Sequence, residues 1–193
     1  MTRTFIALEM NKAVQRHLTD VIHQVSSVLP SIRWVNPAGI HLTLAFLGEL
    51  DDNQLQETIA AATTVAQETH SFSYRLTHPG SFGAARQPRV IWTGIEERSG
   101  TLLHVHARLQ QDLARRGFSV DTRPFAPHLT LARIKAPLPV TELERLQAIL
   151  HGGPQQFASR ETFTAKAIAV MKSELLRSGA QYTPLKICPF SPT

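Results

Sequence analysis

Ile40-His41-Leu42-Thr43-Leu44-Ala45-Phe46-Leu47 and Pro127-His128-Leu129-Thr130-Leu131-Ala132-Arg133-Ile134 share one tetrapeptide, His-Leu-Thr-Leu, repeated 87 positions further on, from 41 to 128. Each copy lies in a run that reads as a β-strand. On a strand, a His and a Thr two residues apart project from one face while the leucines point to the other, so each copy offers an imidazole and a hydroxyl side by side. The chain has 9 histidines, and a single copy would read as a core histidine in an apolar strand. An identical string in two strand contexts reads instead as an internal duplication. Two such strands facing each other would surround a small anion with two proton-transfer groups and two hydroxyl donors. That set meets the needs of phosphodiester chemistry in the absence of a metal.

Outward from the motifs, apolar residues mark four helices. From Asn11, the residues Val14, Leu18, Val21, Ile22, Val25, Val28 and Leu29 fall on one stripe that Pro30 closes. A second helix opens on Asp51-Asp52, acidic groups that suit a helix start, and carries Leu55, Ile59, Ala62 and Ala66 on its apolar side. A third runs from Ser99 with Leu102, His106, Leu109 and Leu113 on one stripe, as far as Gly117. The fourth is expected to open with a Thr141-x-x-Glu144 capping box and to end at His151-Gly152-Gly153. Strand-like runs occupy 4–8, 32–35, 40–47, 72–78, 89–95, 128–134, 162–171 and 181–187. This order mixes hairpin neighbours with helical crossovers and predicts an α+β fold. Each motif strand is followed by a turn and a helix, which predicts two halves related by a pseudo-twofold axis.

Composition sets the outer bounds. A chain of 193 residues with 42% hydrophobic and 18% charged content is that of a folded protein with a sizeable core. The net charge is +5, and 15 of the 20 cations are Arg, whose planar fork suits phosphate. The single cysteine, Cys188, excludes an internal disulfide and a cysteine zinc cluster, and is expected to be a buried thiol in a reducing compartment. No stretch has transmembrane length or the apolar core of a signal peptide, so a cytoplasmic protein is expected. The end holding Pro184, Pro189 and Pro192 reads as a frayed tail. His104 and His106 do not share a helix face and read as structural, and no phosphate loop, dinucleotide glycine pattern or zinc motif is found.

The paired motifs resemble the signature of the 2H phosphoesterase superfamily. The flanking text is closer still to its RNA 2′,3′-cyclic phosphodiesterase branch, historically called 2′-5′ RNA ligase. The matching stretches are Arg3 to Leu8, Arg33 to Glu49, Pro88 to Ile95, Arg123 to Arg133 and Ser173 to Leu185, almost end to end. The stretch from His78 to Gln87 fits less well. The resemblance implies one domain over 1–193 with two interleaved, pseudo-twofold-related lobes. Each lobe would be an antiparallel-rich sheet backed by helices, with the active-site cleft between them. It further implies a hydrolase that opens RNA 2′,3′-cyclic phosphates to 2′-phosphomonoesters. His128 would be the proton acceptor that activates water, His41 the proton donor to the departing 3′ oxygen, and Thr43 and Thr130 the phosphate donors. Phe46 and Arg133, each five residues after its histidine, are expected to contact the substrate, as are Arg123 and Phe125 just ahead of the second motif. No cofactor, metal or membrane is implied, and a monomer is expected. The residues leave open a 2′-5′ RNA ligase, a small-molecule cyclic phosphodiesterase and a non-catalytic binder of RNA ends.

Overall fold

The computed structural model describes residues 1–151, 158–176 and 179–192. Strands β1 (Thr2–Leu8) and β2 (Leu42–Leu50) join β7 (Ala167–Leu176) and β8 (Gly179–Pro189) in a four-stranded sheet of order β2-β1-β7-β8. Strands β3 (Phe72–Ala84), β4 (Gln87–Glu96), β5 (His128–Arg133) and β6 (Phe163–Ala165) form the second sheet, of order β5-β4-β3-β6. All strand pairings are antiparallel. The class is α+β, as expected, with a motif strand at one edge of each sheet. The chain starts in the first sheet, builds the whole of the second, and returns to the first.

Helices α1 (Lys12–Ser26), α2 (Asp52–Gln67), α3 (Thr101–Arg115) and α4 (Val140–His151) complete the fold. The helix α1 is capped by Asn11, whose side chain accepts from the Val14 amide. It buries Val14, Leu18, Val21, Ile22 and Val25 as one stripe. Val28 lies past the end of this helix and is exposed, contrary to expectation, while Leu29 is buried. The helix α2 starts on a reciprocal capping box. Asp51 accepts from the Gln54 amide, and the Gln54 side chain accepts from the Asp51 amide. Such a cap satisfies two orphan donors and stabilises a helix by about 1 kcal/mol. This helix packs against the first sheet and against α3. The helix α4 lies on β3, and α1 meets the second sheet where His17 faces Phe163. Ser31 donates through its amide and hydroxyl to the buried Glu142 carboxylate of α4, which ties that helix to the segment following α1 across 111 residues. One continuous core runs through both sheets and all four helices.

Four sequence expectations need correction. The fourth helix begins at Val140, and its first bond runs from the Leu143 amide to the Pro139 carbonyl. Thr141 therefore sits inside the first turn and not at a cap. Gly152 and Gly153 lie outside the described residues. The run 32–35 is no strand: Trp34 makes one isolated bridge to Ala132. The run 162–171 is two strands, because the chain leaves the second sheet after Ala165 and enters the first at Ala167. Finally, the proline-rich end is anchored. Phe190 is buried, the Ser191 amide donates to the Thr69 carbonyl and the Ser191 hydroxyl to the Gln67 carbonyl.

Candidate active site

Both motif strands carry the same irregularity. In the pairing of β1 with β2, Ile6 faces Ala45 and Ala7 faces Thr43, so Leu44 is an extra, bulged residue. In the pairing of β4 with β5, Ile91 faces Ala132 and Trp92 faces Thr130, so Leu131 is the extra residue. A bulge resets the alternation of a strand. It brings Phe46 onto the face of Thr43 and Arg133 onto the face of His128 and Thr130, which strict two-residue alternation would forbid. The freed Leu131 carbonyl accepts from the Val35 amide at 2.9 Å, and the Leu44 carbonyl accepts from the Gln110 side chain at 3.2 Å. Both leucine side chains stay buried.

The histidines are anchored alike, although only His128 lies within a strand. His41 precedes β2 and follows a 3-10 turn, Pro37–Gly39, whose start is capped by the Asn36 side chain accepting from the Ala38 amide. His41 Nδ1 lies 2.8 Å from the Gly39 carbonyl, and His128 Nδ1 lies 2.7 Å from the Ala126 carbonyl. A carbonyl can only accept, so each Nδ1 carries a proton and each Nε2 is left to exchange one with a ligand. Neither the Thr43 nor the Thr130 hydroxyl has a hydrogen-bond partner among the described residues.

The rings around the two histidines differ. His41 lies over Phe5 at 4.5 Å between centroids and meets the edge of Tyr182 at 4.8 Å. His128 meets Phe82 edge-on at 5.0 Å and Trp92 at 6.3 Å. Gly80 makes room for the indole, because a Cβ there would run into the Trp92 ring. Burial pushes the His41 pKa below its usual value, the Gly39 carbonyl opposes this, and the Arg133 guanidinium from the other sheet lowers it further. Arg133 is exposed and has no ion-pair partner among the described residues. Its charge therefore reaches from the second motif to the first histidine.

Of the other expected substrate contacts, Phe46 is 55% exposed and lies under the Arg3 guanidinium, 4.8 Å from its ring. The structure engages the remaining two elsewhere. Arg123 is clamped on Asp121, which holds that carboxyl down to about 2. Phe125 stacks on His106 at 3.9 Å. Neither makes a ring or hydrogen-bond contact with His41 or His128. Sequence reasoning missed Phe5, Phe82, Trp92 and Tyr182. The stretch from His78 to Gln87, which fits the family text less well, is the tip of the β3–β4 hairpin and delivers Phe82. Among the described residues no three His, Cys, Asp or Glu side chains form a candidate metal cluster, and no helix is long and apolar enough to cross a membrane. Cys188 is buried, as expected.

Two sheets joined in one core, each with a bulged motif strand at its edge and a histidine at or just before the start of that strand, define a duplicated two-histidine fold. The chain belongs to the 2′-5′ RNA ligase superfamily, whose family model matches residues 10–176. It is 32% identical over 133 residues to the RNA 2′,3′-cyclic phosphodiesterase of Thermotoga maritima, covering 69% of this chain and 70% of that one. It is 24% identical over 185 residues to the RNA 2′,3′-cyclic phosphodiesterase of Methanothermobacter thermautotrophicus, covering 96% and 97%. Among solved structures it resembles TT0787 of Thermus thermophilus, with a TM-score of 0.80 at 26% identity over 97% of both chains.

Proposed function

We propose that this protein hydrolyses RNA 2′,3′-cyclic phosphate ends to 2′-phosphomonoesters without a metal. The observation that carries the reading is the matched pair of histidines, each with Nδ1 fixed on a carbonyl, together with two threonines whose hydroxyls, like each histidine's Nε2, have no hydrogen-bond partner among the described residues. The naming of the relatives as RNA 2′,3′-cyclic phosphodiesterases supports the substrate.

Neutral His128 takes a proton from water through Nε2 as the water oxygen bonds to phosphorus. The bond from phosphorus to the ribose 3′ oxygen breaks on the opposite side, and protonated His41 delivers a proton to that oxygen. The product is a 2′-phosphate with a free 3′ hydroxyl, and the histidines have exchanged protonation states. Thr43, Thr130 and Arg133 stabilise the charge that grows on the non-bridging oxygens, each hydroxyl contributing on the order of 3 kcal/mol. Arg133 lowers the His41 pKa in the free protein. A bound phosphate offsets that charge, so substrate binding favours the protonated imidazole that the donor role requires.

The test is incubation of chelator-treated protein with a short RNA ending in a 2′,3′-cyclic phosphate, with 2′- and 3′-phosphate products resolved and His128→Ala as control. Conversion to the 2′-phosphate by the wild type alone is expected. A 3′-phosphate product would reverse the direction of ring opening, and no conversion would contradict the reading. A lengthened product, when an RNA with a free 5′ hydroxyl is supplied, would indicate ligation.

A further inference from the structure

Each bulged motif strand is fastened by a segment that connects strands of the other sheet. The Leu131 carbonyl in the second sheet accepts from the amide of Val35, which lies between the first-sheet strands β1 and β2. The Leu44 carbonyl in the first sheet accepts from the side chain of Gln110 on α3, which lies between the second-sheet strands β4 and β5. The two fasteners differ in kind. A backbone amide does not depend on the side chain at 35, whereas the bond to Leu44 exists only through the side chain at 110.

The surroundings of Gln110 single out its N–H groups. Nε2 lies 3.2 Å from the Leu44 carbonyl and 3.2 Å from Nε2 of His106, one turn earlier on α3. An amide nitrogen only donates, so His106 Nε2 accepts and this imidazole is neutral. Burial lowers the His106 pKa against the pull of the Asp121 carboxylate, and so favours the neutral form. The His106 ring is fixed in turn by its stack on Phe125, tilted by only 7°. Gln110 Oε1, by contrast, is buried and has no hydrogen-bond partner among the described residues. A stranded buried oxygen is destabilising, and a methionine would fill the same space without one. What the amide adds over such a packing residue is its two N–H bonds.

The register shows what the bond to Leu44 controls. Across β1, Thr43 faces Ala7, Ala45 faces Ile6, Phe46 faces Phe5 and Gly48 faces Thr4. Ala45 and Phe46 therefore form a two-residue segment between two extra residues, Leu44 and Leu47. So short a segment is oriented by how its flanking bulges are held. The ring it presents, Phe46, is exposed and offers a surface on which a planar base can stack.

We propose that Gln110 is a positioning residue, whose bond to the Leu44 carbonyl holds the bulge that turns the Phe46 ring onto the Thr43 face to meet the substrate. The inference rests on the proposed function, with Phe46 as a substrate contact. Gln110 acts through Phe46 on substrate binding and not on the proton transfers.

The test measures kcat and KM on a short RNA ending in a 2′,3′-cyclic phosphate for the wild type, Gln110→Met, Phe46→Ala and the double variant. Gln110→Met is expected to raise KM about fivefold, the loss of one hydrogen bond, with kcat changed by less than about twofold. In the Phe46→Ala background the same change should raise KM by less than about twofold, because the ring it positions is gone. Gln110→Glu, which keeps the shape of the side chain and loses the N–H donors, should repeat both results. In NMR of Gln110→Met, the cross-strand contacts of Phe46 with Phe5 should weaken while those of Arg133 with Val90 persist. An unchanged KM, a loss confined to kcat, or a KM effect undiminished in the Phe46→Ala background would overturn the inference and leave the hydrolase reading intact. Unfolding of both Gln110 variants would overturn it too, by reducing the residue to a packing role. Absence of turnover by the wild type would overturn the reading and the inference with it.

Discussion

The two copies of His-Leu-Thr-Leu are identical in sequence and alike in backbone, yet they sit in different surroundings. Both carry a bulge at the second leucine, and both hold Nδ1 on a carbonyl two residues upstream. His41, however, is wedged between Phe5 and Tyr182 and feels Arg133, whereas His128 leans on Phe82 and Trp92 at the β3–β4 hairpin. In place of the Arg133 side chain, the first copy has Phe46, with Arg3 over its ring. A duplicated motif thus supplies two equal chemical groups within unequal walls, and the proposed donor and acceptor roles rest on that inequality. Each copy has one guanidinium near it, but Arg133 acts on the opposite histidine whereas Arg3 lies over Phe46.

Removal of either imidazole is the strongest way to break the comparison. His41→Ala and His128→Ala should each lower kcat by about 10³-fold or more on a cyclic phosphate end, read by single-turnover assay. Near-normal turnover in either variant would show that one histidine suffices. Replacement of the hydroxyls comes next. Thr43→Val and Thr130→Val should each cost about 10²-fold in kcat with the fold intact by circular dichroism, and the serine variants should recover most of it. If valine and serine behaved alike, the hydroxyls would not be phosphate donors.

Arg133→Gln probes the asymmetry itself. It should raise KM for an RNA end about tenfold, as expected for loss of one charge-assisted phosphate contact. Imidazole NMR should show the His41 pKa moving upward in that variant, because one of the causes holding it down is gone. An unmoved His41 titration would place the guanidinium elsewhere in solution. The smallest effect is on stability. The folded His41 pKa lies below its unfolded value of about 6.5, so the native state binds fewer protons between the two values. The stability this represents is fully present above the unfolded pKa and is lost as pH falls through the folded one. In His41→Asn, urea denaturation should depend less on pH across that window.

The sequence was most legible where local chemistry acts alone. The stripe from Val14 to Val25 and the acidic start at Asp51 were read directly, because amphipathic period and capping depend on near neighbours. Thr141 misled for the same reason. The pattern of a capping box was present, but the helix starts two residues early, with Pro139 in the capping place. The break at Lys166 was hidden because both flanking runs are apolar strands, and only the tertiary structure assigns them to different sheets. At the site, the four motif residues stood out by repetition. Phe46 and Arg133 were reachable through equivalence, although their odd spacing from the histidines contradicts simple alternation. The bulges at Leu44 and Leu131 that resolve this are held by Gln110 and Val35, partners with no sequence signature. Phe5, Phe82, Trp92 and Tyr182 come from strands distant in the chain, and nothing in their own neighbourhoods points to an imidazole.

The most direct test of the division of labour uses a 2′,3′-cyclic phosphate whose bridging 3′ oxygen is replaced by sulfur. A thiolate departs without a proton, so a missing acid no longer matters while a missing base still does. Single-turnover rates for His41→Ala and His128→Ala on this ester, against the all-oxygen ester, should show the sulfur restoring His41→Ala toward the wild type and leaving His128→Ala slow. Restoration of His128→Ala alone, or of neither variant, would contradict the assignment of His41 as donor and His128 as acceptor.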